Sequence, residues 1–362
     1  MVVRELSTKG FRNLTAGDFQ PGPGVNILHG DNAQGKTNLL EAIWLFTGGR
    51  SFRGARDGEL PSFGGEGAHL SMRFHAGDRE QEAALRIERR RTATLNGLDL
   101  PAASKLAGIF CAVVFSPAHL SLIKDGPEER RRFIDTAYCQ LRPGYIATLS
   151  EYQRALAQRN ALLKAIRKEG ADPELLDVWD RRLAQSGCRV AAARTAYCQK
   201  IAAPAGEIYA GLSGGRETLC LRYETSGEKE GGAEALEALF RQRRQTDIAA
   251  GFTTAGPHRD DLHVEIGGLS ARIYGSQGQQ RSAVLALKMA EASLLREITG
   301  EQPVALLDDV MSELDVSRQD YILNHIEGWQ VFITCCEPAA VLRLAGGSLF
   351  RLEQGRIIPE AG

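Results

Sequence analysis

The stretch Gly30-Asp31-Asn32-Ala33-Gln34-Gly35-Lys36-Thr37 constrains this chain more than any other. It fits G-x-x-x-x-G-K-[ST], and its flanks are those the pattern needs. The apolar run Val25-Asn26-Ile27-Leu28-His29 before it reads as a buried strand. Asn38 to Phe46 after it reads as a helix ended by Gly48-Gly49. Glycines at these positions let backbone N–H groups turn inward around a chain of phosphates. The following helix presents its positive N-terminal end to the same charge. Gly30, Asp31, Asn32, Ala33, Gln34, Gly35 and Asn38 are expected to line the phosphates. Lys36 is expected to reach the β- and γ-phosphates, and the Thr37 hydroxyl to ligate the metal. The cofactors expected are therefore ATP and Mg²⁺.

Two further motifs follow in the chain. Val304-Ala305-Leu306-Leu307-Asp308-Asp309 is an apolar strand ending in two carboxylates. Asp308 is expected in the Mg²⁺ shell and Asp309 beside the attacking water. Alone such a strand says little, because buried strands often end in Asp at a turn; after the loop at 30–37 it says much more. Between the two, Ser276-Gln277-Gly278-Gln279 opens a helix running through Ser282 to Leu295. This turn offers a hydroxyl, a glycine N–H and a helix N-terminus to a phosphate. By itself Ser276 is most simply an N-cap. The full order also includes Ser312-Glu313-Leu314-Asp315 after the carboxylates, and it is that of ABC-type ATPases. Those proteins use the signature turn in trans, so an ATP-dependent homodimer with two composite sites is expected. Lys36, Ser276, Asp308 and Asp309 are the residues expected to carry catalysis.

The rest of the chain alternates in character. Short alternating segments at Leu70–Phe74, Ala83–Glu88 and Thr92–Leu95, with the turn Asn96-Gly97, read as strands and a hairpin. Cys111–Phe115 reads as a buried strand. From about residue 127 to 248 the chain is helix-compatible. One helix is expected from Tyr145 to Ile166 and another from Leu175 to Ala203, where Pro204 should end or kink it. The intervening Glu169-Gly170-Ala171-Asp172-Pro173 makes them an antiparallel αα-hairpin. Residues 226–232 read as an exposed loop. The fold expected is α/β: an ABC/SMC-like P-loop ATPase head over 1–122 and 249–362, with an inserted helical, short coiled-coil-like lobe over 123–248.

Several segments resemble the RecF family of bacterial recombination-repair proteins. They are Lys9-Gly10-Phe11-Arg12-Asn13, Gly30 to Ile43, Gly49-Arg50-Ser51-Phe52-Arg53, Phe115-Ser116-Pro117, Pro127 to Asp135, Thr254 to Leu262, and Gly275 to Arg281. The resemblance implies a cytoplasmic ATPase of DNA replication, repair and recombination. It would dimerise on double-stranded and gapped DNA and hydrolyse ATP slowly, acting with RecR and RecO to place RecA. The chain departs from the family at Ala118-His119, where an acidic pair is common, and at Thr334-Cys335-Cys336-Glu337, in the switch position. No histidine stands there to meet the γ-phosphate, which accords with slow turnover.

Charge sets limits on partners. The 44 Lys and Arg against 45 Asp and Glu exclude a uniformly basic nucleic-acid binder. A local basic face suffices, and Arg12, Arg50, Arg53, Arg130 and Arg131 are its candidate members because Arg bonds phosphate bidentately. Each is also readable as solvated surface charge. The seven cysteines lack metal-ligand spacing, reduced thiols suit the cytoplasm, and no run is apolar enough for a membrane. Other readings are an SMC-like DNA-tethering ATPase acting with a nuclease, a transporter subunit, and a binding protein with a degenerate ATPase site. The short insertion counts against the first, the missing switch histidine against the second, and the intact motifs against the third.

Overall fold

The computed structural model describes residues 1–225 and 231–360, so the loop expected over 226–232 falls largely outside the described residues. In chain order the strands are β1 (Val2–Lys9), β2 (Gly17–Phe19), β3 (Val25–His29), β4 (Ala68–Ala76), β5 (Arg79–Ile87), β6 (Arg91–Leu95), β7 (Leu98–Asp99), β8 (Ala112–Phe115), β9 (Leu219–Glu224), β10 (Asp261–Ile266), β11 (Leu269–Ser270), β12 (Val304–Asp308), β13 (Val331–Cys335), β14 (Ser348–Glu353) and β15 (Arg356–Glu360). The helices are α1 (Lys36–Leu45), α2 (Ser121–Lys124), α3 (Pro127–Leu141), α4 (Tyr145–Glu169), α5 (Leu176–Ser213), α6 (Gly232–Ala250), α7 (Ala271–Tyr274), α8 (Gln277–Thr299), α9 (Val316–His325) and α10 (Pro338–Ala345). The chain forms two compact units. The first comprises residues 1–120, 207–217 and 281–362, the second 121–206 and 218–280.

The first unit holds two six-stranded sheets. In one, the order is β15-β14-β3-β13-β12-β8, parallel except for the β14–β15 hairpin. Every residue of β12 and β13 is buried, as expected of parallel strands covered on both faces. The other sheet, β2-β1-β4-β5-β6-β7, is antiparallel. Its long strands alternate: Leu70, Met72 and Phe74 point into the core while His69 and Arg73 face solvent. Leu39, Leu40 and Ile43 of α1 complete one core with Leu28, Leu306 and Phe332 on one side and Leu70 and Leu85 on the other. The Asn96-Gly97 turn has positive φ at both residues, 50° and 78°, the geometry of a type I′ hairpin.

The second unit is mainly helical, with the sheet β11-β10-β9. Helices α4 and α5 run antiparallel: Glu151 pairs with Arg189 at 2.7 Å, and Arg159 with Asp180 at 2.6 Å. As one residue number rises, its partner's falls. Gly170 ends α4 at φ 70°, and the Asp172 side chain accepts from the Glu174 N–H at 2.8 Å, capping the 3-10 turn Pro173–Leu175 that leads into α5. Tyr152, Ala155, Leu183, Ala184, Leu236 and Phe240 form the core between α4, α5 and α6. Arg159 is fully buried there, bonded to Asp180, Asp247 and Thr253 and lying 5.2 Å from the Phe240 ring centroid.

Of the two outcomes expected at Pro204, an end is overturned, since α5 continues to Ser213. The ring removes one N–H and crowds the carbonyl four residues back. Ile201, Ala205, Ile208, Tyr209 and Leu212 nevertheless form a continuous buried stripe, and its burial outweighs the local cost. Residues 249–280 pack with the second unit and 207–217 with the first.

Candidate nucleotide site

The loop between β3 and α1 is shaped by backbone conformations that few residues tolerate. Gly30, Ala33 and Gly35 have φ of 145°, 65° and 107°. A Cβ on Gly30 would lie 2.4 Å from the Leu352 carbonyl oxygen, and one on Gly35 would lie 2.9 Å from both Asn13 Oδ1 and Leu14 Cδ2. Glycine is therefore required at both positions. Asn13 braces the loop from outside: its Nδ2 donates to the Ala33 carbonyl at 2.8 Å, and its Oδ1 accepts from Asn38 Nδ2 at 2.7 Å. The Gln354 N–H donates to Gln34 Oε1 at 2.5 Å.

Lys36 is buried. Its ammonium donates to the carbonyls of Gly30 and Asp31 at 2.5 and 2.9 Å and lies 3.7 Å from Cys336 Sγ. The Cys336 thiol in turn donates to Asn32 Oδ1 at 3.4 Å. Two parallel strands bring the carboxylates to the loop. Asp308 ends β12 in register with Thr334 of β13. Thr37 Oγ1 donates to Asp308 Oδ1 at 2.7 Å, Thr334 Oγ1 donates to the same oxygen at 3.1 Å, and the Asp309 N–H donates to Thr334 Oγ1 at 2.8 Å. Burial raises the Asp308 pKa, the Thr37 and Thr334 hydrogen bonds oppose that rise, and Asp309 adds to it. Asp309 is exposed with φ 54°, and its Oδ1 and carbonyl both accept from Ser312 Oγ. Asn32 to Asn38, Arg53, Phe63, Arg89, Asp309 and Thr334 are among the residues lining a cavity of about 1470 Å³. That space takes a triphosphate with its sugar and base.

Thr37 and Asp308 are adjacent oxygen donors of the kind Mg²⁺ accepts, and Mg²⁺ normally completes its shell with substrate phosphates and water. The donor set therefore fits that ion. Among the described residues no group of three or more His, Cys, Asp or Glu is placed to hold a metal without such help.

Ser276, Gln277, Gly278 and Gln279 lie in the second unit. The Gln279 N–H donates to Ser276 Oγ at 3.3 Å and the Ser276 N–H to Gln279 Oε1 at 2.7 Å, a capping box at the start of α8. Ser276 is thus the N-cap that its position suggests. It accepts in that role, which leaves its O–H proton available for an acceptor outside the helix.

The basic candidates separate. Arg12 forms a bidentate pair with the fully buried Glu41 at 2.9 and 3.1 Å, and Glu41 also accepts from Ser51 Oγ. Arg53 donates to Asn38 Oδ1 at 2.8 Å and lines the nucleotide cavity. Arg50 is exposed. Arg130, 5% exposed, is bidentate to Asp261 at 2.6 and 3.0 Å and donates to the Leu122 and Asp125 carbonyls. Arg131 is half-buried against the Asp260 carbonyl at 2.6 Å. Internal carboxylates thus hold the guanidinium groups of both Arg12 and Arg130. Sequence reading missed Asn13, Glu41 and the role of Thr334. Thr334 was discoverable, since a hydroxyl ending an apolar strand after the carboxylate strand falls beside it in a parallel sheet.

The chain is similar to known proteins over nearly its whole length. Residues 5–107 match the AAA domain family. The DNA replication and repair protein RecF of Lachnoclostridium phytofermentans is 39% identical over 99% of this chain and 99% of its own length. That of Agathobacter rectalis is 40% identical over 92% of each chain. A solved structure of the recombination mediator protein RecF with ATP, of the RecFOR pathway, superposes with a TM-score of 0.92 at 36% identity, covering 99% of this chain and 98% of that one. The Smc head domain of Pyrococcus furiosus, at 18% identity and a TM-score of 0.56, shares the fold alone. With near-complete coverage at such identity, the chain belongs to the RecF family of DNA replication and repair proteins.

Proposed function

We propose that this protein is an ATP-driven switch of DNA repair. It binds Mg–ATP at Lys36, Thr37 and Asp308, dimerises so that Ser276 to Gln279 of each protomer complete the partner's site, and engages duplex DNA beside single-strand gaps. It hydrolyses ATP slowly in a DNA-dependent manner and acts with RecR and RecO to promote RecA loading. The observation that carries this reading is the bond from Thr37 to Asp308, which joins the phosphate loop to the carboxylate strand. When bound, Mg²⁺ supplies positive charge to the phosphate oxygens. Lys36 balances charge on the β- and γ-phosphates, and Asp309 orients and polarises water. Ser276 donates its free hydroxyl proton to the phosphate of the opposite protomer, at a helix end already favourable to anions. Cys336 stands where a switch histidine would act, and a thiol is a weak hydrogen-bond donor, which accords with slow turnover.

A gel-shift assay on gapped DNA tests the reading. ATP should promote binding by the wild-type protein and not by Lys36→Met. Equal binding by both, with and without ATP, would contradict it.

A further inference from the structure

The outer face of the antiparallel sheet carries cross-strand rows of side chains, and their charges follow two different rules. Toward one end the rows are complementary. Glu5 faces Arg73, Arg73 faces Glu82, and His75 faces Glu80, with ion pairs from Arg73 to Glu5 and from His75 to Glu80. At the other end the row is Lys9, His69, Arg86 and Thr92, again in direct register. Here Lys9 and Arg86 flank His69 on adjacent strands, and no carboxylate stands in the row. Lys9, His69 and Arg86 are all exposed. Among the described residues Lys9 and His69 form no ion pair, and Arg86 has only the exposed Glu88, just past the end of its strand, at 2.8 Å.

The neighbouring row is made of small residues. Ser7, Ser71, Ala84 and Thr94 lie in register, with Ser7 bonded to Asp18 at the sheet edge at 2.5 Å. Small side chains beside long basic ones leave a groove of about 500 Å³, lined by Lys9, His69, Ser71, Arg86 and Thr94, with Asp18 at the sheet edge holding the Ser7 hydroxyl. Two inter-strand steps carry the row across about 10 Å. Hydroxyls and cations on one rigid face are the donors that hold a phosphodiester backbone without reading its bases.

We infer that the row Lys9–His69–Arg86 with its hydroxyl-lined groove is a docking site for the phosphate backbone of duplex DNA. The inference rests on the proposed DNA-binding function and gives it a location on a sheet face separate from the five arginine candidates. The complementary end of the same sheet face serves as an internal control. An acidic protein partner would also be drawn to the row, and the test separates the two.

The test is fluorescence anisotropy of the full-length protein with ATP and a labelled duplex over a series of salt concentrations. Lys9→Ala/Arg86→Ala should weaken binding about 10- to 100-fold and reduce the slope of log Kd against log salt by about 2, one per lost phosphate contact. Lys9→Gln alone should lower the slope by about 1. Arg73→Ala should change neither quantity, and the ATPase rate without DNA should be unchanged throughout. Because these side chains are exposed, the melting midpoint should change little. If the wild type binds DNA and the double variant binds it with the same affinity and slope, the site is wrong, whether or not an acidic protein uses it. If the wild type does not bind the duplex at all, the DNA-binding reading itself fails and the site with it.

Discussion

The Thr37 hydroxyl donates to Asp308 Oδ1 across 2.7 Å, joining residues 271 positions apart in the chain. Burial raises the pKa of Asp308 even though this bond and that from Thr334 hold it down. A carboxyl whose pKa is higher folded than unfolded contributes stability below its unfolded pKa and loses it as pH rises through the folded value. At neutral pH the Asp308 charge is therefore a cost to the metal-free fold. Asp308→Asn keeps an acceptor for Thr37 and removes that charge. The nucleotide-free variant should melt higher than wild type. It should also lose the gain on adding Mg–ATP, which for wild type at a hundredfold excess over Kd is about 2.7 kcal/mol. Differential scanning fluorimetry with and without Mg–ATP measures both, and a full Mg–ATP gain in the variant would contradict the metal assignment.

Asp309 sits at φ 54°, a conformation that Asn adopts about as readily as Asp. Asp309→Asn should therefore fold normally and bind ATP, while hydrolysis falls about 10²- to 10⁴-fold through loss of the polarising carboxylate. Single-turnover kinetics beside nucleotide-binding titration checks this. Unimpaired hydrolysis would remove Asp309 from the mechanism.

Arg130 is held by Asp261 and two carbonyls rather than by solvent. Arg130→Ala should leave Asp261 unpaired and cost about 3 kcal/mol, at the low end for a buried pair because Asp261 is partly exposed. Urea unfolding should show the loss. A stable variant with weakened DNA binding would restore Arg130 as a DNA contact.

His258 accepts from the Tyr152 hydroxyl at Nδ1 at 2.7 Å and donates from Nε2 to the Thr253 carbonyl at 3.0 Å, which requires the neutral ring. Burial lowers its pKa to about 4. The unfolded chain takes up the proton first as pH falls, so stability is lost between about pH 6.5 and 4. The loss attributable to this group is on the order of 2 to 3 kcal/mol. His258→Gln should flatten that part of the stability–pH curve measured by urea unfolding, and an unchanged curve would place the titrating group elsewhere.

What was legible in the sequence was local. The phosphate loop announces itself through glycines whose conformations and close approaches only glycine meets, as Gly30 against Leu352 illustrates. The strands β3, β12 and β13 are apolar runs because both their faces are covered. The turns at Asn96-Gly97 and Glu169 to Pro173 carry the residues their geometry demands. What escaped was tertiary. Pro204 lies in a helix because a buried stripe continues through it. Arg12 and Arg130 look like surface charge until Glu41 and Asp261, 29 and 131 residues away, are brought to them. The basic row on the antiparallel sheet is invisible in a linear reading, since Lys9, His69 and Arg86 come from three strands.

The central claim is that ATP acts by joining two protomers through the signature turn, and Ser276→Arg tests it most directly. A bulky cation cannot fit where a serine hydroxyl meets a phosphate across an interface, while the phosphate loop around Lys36 is left intact. Light scattering should show wild type and Asp309→Asn moving from monomer to dimer mass on adding Mg–ATP. Ser276→Arg should bind ATP with near wild-type affinity and remain a monomer. Dimerisation of Ser276→Arg to the wild-type extent with Mg–ATP would contradict the account.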